Sequence, residues 1–270
     1  MTVRSQAWTG GLLLTLAALG IWMRDTQWQQ APADTLPLAM GLPAIALLGR
    51  PWRLADVANR VPLLAWLAGG LAFGFGWMGG VLTPMAFGWT ILVGCWIKRC
   101  FIPLPGRGRL LWIALFSFPW LVVDWPMIGW GFRLSAAEFV TGVFKMLAMP
   151  VTRVGTNLEV VGMPVEVQEA CAGWNLLQLC LLYGLATSAM ELRRNSRFVV
   201  LLVILPVLAW LANAIRILLL AVIGLSWGTG VAAGPLHAPT ALVVLILVMV
   251  ATRLICGFLD PRQTIRRTVS

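Results

Sequence analysis

Long runs of apolar residues, separated by short clusters of charge, leave this chain few ways to fold. Reading between charges gives eight such runs, at roughly 8–23, 36–49, 61–79, 81–97, 110–123, 170–190, 198–225 and 239–258. A helix needs about 20 apolar residues to cross the hydrocarbon of a bilayer. Inside that hydrocarbon every backbone N–H and C=O must be paired within the protein, which favours helices over open sheets. The pattern predicts an all-α integral membrane protein of about eight transmembrane helices. The second and fifth runs are short for full spans. Composition agrees, with 60% hydrophobic residues and only 11% charged, where a soluble domain carries about a quarter charged. The run at 8–23 follows Arg4 as a signal-peptide core would. Yet Ala17-Ala18-Leu19-Gly20-Ile21-Trp22 offers no convincing cleavage site, so it reads as a retained first helix.

The net charge of +10 does not form the stripe that nucleic acid requires, and no nucleic-acid partner is expected. The cations flank the apolar runs and act as topology signals. With the N-terminus inside, fifteen fall on the inner side: Arg4; Arg50, Arg53 and Arg60; Lys98, Arg99, Arg107 and Arg109; Arg193, Arg194 and Arg197; Arg253, Arg262, Arg266 and Arg267. Only Arg24, Arg133, Lys145 and Arg153 fall outside, and Arg216 lies within a span. Both termini are therefore expected on the cytoplasmic side. The fifteen Trp suit the headgroup zone, where an indole satisfies both its ring and its N–H.

Four regions follow: a transmembrane scaffold of about five helices (1–123), an outer-face segment (124–169), a three-helix catalytic core (170–258) and a basic cytoplasmic tail (259–270). In the outer segment, residues 135–150 place Phe139, Val140, Val143, Phe144 and Leu147 opposite Glu138, Thr141 and Lys145, a helix suited to lie in the interface. Asn157–Val161 and Val165–Gln168 alternate apolar with polar around Gly162-Met163-Pro164, which predicts a small β-hairpin between the fifth and sixth helices. No internal repeat is evident. Gly69, Gly70, Gly74, Gly76, Gly79 and Gly80 read as sites of close helix packing.

Three residues capable of chemistry share one depth. Cys171 opens the sixth helix, roughly 33 Å of helix from Arg193. Arg216 lies roughly 28 Å along the seventh helix from Arg197. His237 stands just before Pro239 at the start of the eighth. Each has an ordinary reading. A lone membrane Cys is usually a packing residue, and a lone His near a helix end is usually solvated. An intramembrane Arg is harder to dismiss, since it costs roughly 2.5 kcal/mol or more. Cys180 and Cys256, deeper in their helices, read as packing residues, and Cys95 and Cys100 lie near the inner face, where a reducing cytoplasm keeps thiols free. Cys171 is the only outward-facing Cys, without a disulfide partner in a compartment that favours disulfides. A helix N-terminus and Arg216 would both favour its thiolate. The same helix-terminus field would keep His237 a neutral imidazole. Asn175 and Gln178 continue a polar stripe below Cys171, and Asn213 precedes Arg216 by one turn. With one His and no C-x-x-C pair, the chain has almost no ligands for zinc, and no cofactor is expected.

Glu169-Ala170-Cys171-Ala172-Gly173, then Asn213-Ala214-Ile215-Arg216-Ile217, then His237 resemble the exosortase/archaeosortase family of multi-pass membrane transpeptidases, over about residues 145–245. The resemblance implies a Cys171/Arg216/His237 active site in a bacterial inner-membrane protein, facing the periplasm. Cys171 would be the nucleophile, Arg216 the thiolate and oxyanion stabiliser, and His237 the general acid/base, with Glu169, Asn175, Gln178 and Asn213 as supporting polar groups. It implies exported protein substrates with a C-terminal motif such as Pro-Glu-Pro, a transmembrane helix and a basic tail. Membrane lipid is the other partner, and no cofactor is needed. The chain departs from the family in Ala172, where Ser is usual, and in Ala238-Pro239, where an acid and a Gly often follow the His. A thiol-dependent lipid or acyl transferase, and a transporter or assembly scaffold, are the competing readings.

Overall fold

In the computed structural model the described residues are 2–24, 32–104, 106–166, 174–192 and 194–260. They are dominated by helix: α1 (Val3–Arg24), α2 (Pro32–Leu48), α3 (Leu63–Gly79), α4 (Leu82–Cys100), α5 (Arg109–Phe116), α6 (Trp120–Asp124) and α7 (Pro126–Met146) precede a small sheet. After the sheet come α8 (Trp174–Glu191), α9 (Asn195–Trp227), α10 (Thr229–Ala233) and α11 (His237–Leu259). Helices α1, α9 and α11 are long and apolar enough to cross a membrane, and shorter apolar helices cover Thr35–Leu48, Leu63–Gly79 and Leu176–Glu191. The chain is a multi-pass membrane protein built of helices.

The fifth apolar run does not form one helix. It is split into α5 and α6 around Ser117-Phe118-Pro119, and eight and five residues reach only about 12 and 8 Å. Proline has no N–H to give the ladder, and the Ser117 hydroxyl donates to the Ile113 carbonyl at 2.7 Å.

The chain divides into two compact units. One comprises residues 1–124 and 185–195. Here α3 and α4 form a helical hairpin, turned at Gly80 with φ 70°, whose N–H caps the Gly76 carbonyl. A Cβ on Gly88 would lie 2.4 Å from Phe73 N, and one on Gly76 would lie 2.6 Å from Met85 N, so the two backbones touch. Gly70 and Gly74, in contrast, have nothing within 4 Å. They do not serve packing, because at 100° per residue they leave the face that Gly69 and Gly76 share. Indole donors tie α1 to α4, from Trp89 Nε1 to the Leu14 carbonyl at 2.8 Å and from Trp96 Nε1 to the Ala7 carbonyl at 3.0 Å. The Asp124 carboxylate accepts from the first N–H groups of α4, those of Leu82 and Thr83, which suits the positive end of a helix.

The other unit comprises residues 125–184 and 196–270. Its sheet has the antiparallel order β1 (Val151–Val154), β2 (Asn157–Val160), β3 (Met163–Glu166). The expected hairpin is thus two strands of a three-stranded meander. Val160 pairs with Met163, and the intervening Val161 and Gly162 both take positive φ, 52° and 79°. Those are the angles of a type I′ turn, whose twist matches that of the strands. Gly155, with φ 65°, supplies the positive φ in the first turn.

Helix α7 is longer than expected, and the face it packs within its unit centres on small residues. Ala136, Ala137, Val140, Thr141 and Phe144 are buried, while Phe139 and Leu147 are exposed. The two alanines let α7 approach β2 and α9 closely, in a cluster with Leu158, Val160, Ala214, Ile217 and Ala221. Thr141 tolerates burial because its hydroxyl donates to the Ala137 carbonyl at 2.8 Å.

Candidate active site

Helix α9 sets the site. Ala214, Ile217 and Ala221, at i, i+3 and i+7, form its buried stripe toward α7 and β2. That contact fixes the rotation of α9 about its axis. Asn213 and Arg216, one turn apart, occupy the neighbouring stripe and are buried, Arg216 with 8% of its surface exposed. A charge withdrawn that far from water needs a specific partner.

The partner is His237. Gly228, with φ 93°, ends α9, α10 carries the chain across, and α11 begins at His237 after Leu236. The His237 N–H donates to the Gly234 carbonyl at 3.2 Å, and the Thr240 hydroxyl donates to the His237 carbonyl at 2.9 Å. The start of α11 is thereby held in place, with Pro239 in a first turn where its missing N–H costs nothing. From there the ring of His237 meets Arg216, with Nη2 to Nε2 at 2.8 Å. A guanidinium can only donate, so Nε2 accepts. The imidazole is therefore neutral in this arrangement and carries its proton on Nδ1.

Among the described residues, Arg216 Nε has no hydrogen-bond partner. Gln178 on α8 is buried, with 1% of its surface exposed. Glu169 and Cys171 lie outside the described residues, as does the side chain of Asn175. Cys95, Cys100, Cys180 and Cys256 are all buried, and they form no disulfide among the described residues. Among the described residues no group of three or more His, Cys, Asp and Glu could hold a metal.

A family model for transmembrane exosortases matches residues 3–254, nearly the whole chain. The chain belongs to the transmembrane exosortase family. Membership carries a membrane exosortase-like sorting function. The match also reaches well past the motif-bearing region, so α1 to α6 are as much part of this exosortase as the helices around Arg216. Neither the curated proteins nor the solved structures contain a match.

One residue was undervalued in the sequence. Arg109 counts there as one more inner cation, but it is 6% exposed. It donates to the Ser188 carbonyl at 3.0 Å, to the Leu192 carbonyl, and to Asn195 Oδ1 at 3.1 Å. It thus caps the C-terminal end of α8, where cations are favoured. A cation opening one helix gives no sign, in sequence, that it closes another.

Proposed function

We propose that this exosortase is a membrane cysteine transpeptidase that cleaves C-terminal sorting signals of exported proteins, with Cys171, Arg216 and His237 as its catalytic residues. The observation that carries this reading is the 2.8 Å hydrogen bond between Arg216 and His237, two residues drawn together from consecutive long helices.

The first step is loss of the Cys171 thiol proton to His237 Nε2, which exchanges Arg216 for sulfur as its partner. Arg216 then faces the thiolate as counter-ion. The thiolate attacks the scissile carbonyl carbon, and Arg216 donates to the oxyanion, a role strengthened in a water-poor site. As the C–N bond breaks, the leaving amine takes the proton from His237 and a thioester remains on Cys171. An acceptor amine, or water, attacks the thioester and gives its proton to His237, the C–S bond breaks to release the new amide or acid, and His237 returns the proton to the Cys171 sulfur.

Eight spans, the fifth made by α5 and α6 in succession, with both termini cytoplasmic and the site facing the periplasm, complete the proposal, supported by fifteen cations on one side against four on the other. The substrate is an exported protein ending in a short motif, a transmembrane helix and a basic tail. Its processing in isolated membranes should stop with Cys171→Ala while the level of the variant enzyme stays normal. Undiminished processing by that variant would overturn thiol catalysis and favour a transporter or scaffold.

A further inference from the structure

The small sheet ends in an unfinished edge, and the groups it offers follow from register. A two-residue type I′ turn closes on a hydrogen-bonded pair, here Val160 and Met163. Hydrogen-bonded and non-hydrogen-bonded pairs alternate along an antiparallel ladder. Leu158 with Val165 is therefore the next bonded pair, and Pro164 and Glu166 turn their backbone groups away from β2. Proline at 164 agrees, because a residue without an N–H fits where the ladder asks for none. The strand order is β1-β2-β3, so among the described residues no strand covers that side of β3. Among them, no backbone hydrogen bond uses the Pro164 carbonyl or the Glu166 N–H.

This edge lies close to the proposed chemistry. Val165 packs against the cluster that contains Ala214, Ile217 and Ala221 of α9, residues that flank Arg216 along that helix. A Cβ on Gly224 would lie 3.1 Å from Met163 Sδ and 3.7 Å from Ala232 Cβ. The start of β3 thus meets α10 over α9, and α10 ends shortly before His237. At its other end, β3 stops at Glu166, five residues before Cys171 in sequence, which is at most about 18 Å of extended chain. By the same alternation β1 turns the backbone groups of Val151 and Arg153 outward. That edge stands two strands away, about 10 Å further.

We propose that the free edge of β3 binds the substrate peptide as an added strand, holding the residues around the scissile bond extended before Cys171. This inference rests on the proposed cysteine chemistry. The chemistry of the edge selects its occupant. A row of backbone C=O and N–H groups is matched by an extended peptide, and a lipid has no such row to offer. The Pro164 carbonyl accepts one substrate N–H, and the Glu166 N–H donates to a substrate carbonyl. Because β3 packs on the helix that carries Arg216, pairing along this edge sets the scissile carbonyl at a fixed height relative to the guanidinium.

The test uses full-length enzyme in detergent and a synthetic peptide spanning the mapped cleavage site of one processed protein from the same genome. Glu166→Pro deletes the outward N–H and spares the ladder, while Glu166→Ala changes the side chain and keeps that N–H. KM for Glu166→Pro should exceed that for Glu166→Ala by about tenfold, the loss expected when an acceptor is left unpaired. The two kcat values should agree within about twofold. Arg153→Pro, which deletes an outward N–H from β1, should shift KM by less than about twofold. Peptides N-methylated at one residue at a time should lose affinity for the Cys171→Ala enzyme at alternate positions, the period of a strand. Should Glu166→Pro not fold, this scan reads the pairing without altering β3. Equal KM for the two Glu166 variants overturns the proposal, as does an N-methyl pattern that is absent or continuous. A Glu166→Pro enzyme that turns from dimer to monomer assigns the edge to a second copy of the chain, and overturns it too. Failure of the cysteine chemistry would show separately, as processing that survives Cys171→Ala.

Discussion

Between α3 and α4 the contact is backbone against backbone, whereas α9 and α11 are held by polar side chains at both ends. Gly88 and Gly76 leave no room for a Cβ, and that pair of helices has one way to fit. Helices α9 and α11 are bridged by Arg216 to His237 at one end, and by Arg197 to Asp260 at 2.9 Å near the other. Arg197 and Arg216 are roughly 28 Å apart along α9, so the two bridges pin the helices antiparallel without close packing between them. Close packing yields rigidity and no chemistry. Polar bridging costs desolvation, and in return leaves groups that can change partners.

The comparison breaks most decisively at the polar pair. Arg216→Ala and His237→Ala should each lower substrate processing per folded molecule by about 10³-fold, with folded enzyme still present in membranes although His237→Ala leaves a buried guanidinium without its partner. Arg216→Lys should recover little, since an ammonium lacks the planar fork that serves two acceptors. If either alanine variant instead disappears from the membrane, the bridge is structural and the contrast with α3 and α4 is lost.

The glycine contact should respond in the opposite way. Gly88→Ala should destabilise the protein by about 2–3 kcal/mol, seen as a lower unfolding temperature in detergent, with processing per folded molecule preserved. The distal bridge is weaker. Asp260→Asn should cost about 1 kcal/mol because Arg197 is partly exposed, and high salt should shrink that difference. The smallest effect, and of reversed sign, is expected at Gly142 on α7, which has open space around it. Gly142→Ala should stabilise by about 0.5–1 kcal/mol through helix propensity, which would show that glycine matters only where backbones meet.

What the sequence made legible follows the same division. The helices declared themselves through apolar length, and a shared depth for Arg216 and His237 followed from the helix between Arg197 and Arg216 and from the place of His237 just before Pro239, while the hydrogen bond between them is tertiary information. The face that α7 packs within its unit was not legible because Ala136 and Ala137 carry little hydrophobic weight while permitting the closest approach, and because Thr141 hides its hydroxyl in its own helix. Strand β1 escaped because the apolar residues of Val151-Thr152-Arg153-Val154 do not alternate, Val154 being exposed, and its partnership with β2 is tertiary information. Arg109 escaped because its acceptors lie more than 75 residues downstream.

The length of α9 has a consequence for how the enzyme meets its bilayer. Its 33 residues extend about 50 Å, against hydrocarbon about 30 Å thick. Tilting absorbs only part of the excess, so one or both ends must stand clear of the lipid chains. Near its C-terminal end, Ala221, Gly224 and Leu225 pack against the sheet and its surroundings, which gives apolar side chains a protein cover where lipid runs out. Arg216 lies on another stripe of the same helix, about one and a half turns before Ala221, so its height is fixed relative to that cover. Membranes of different thickness would then slide along α9 like water along a tide gauge, while the height of the reactive groups above the sheet stays constant.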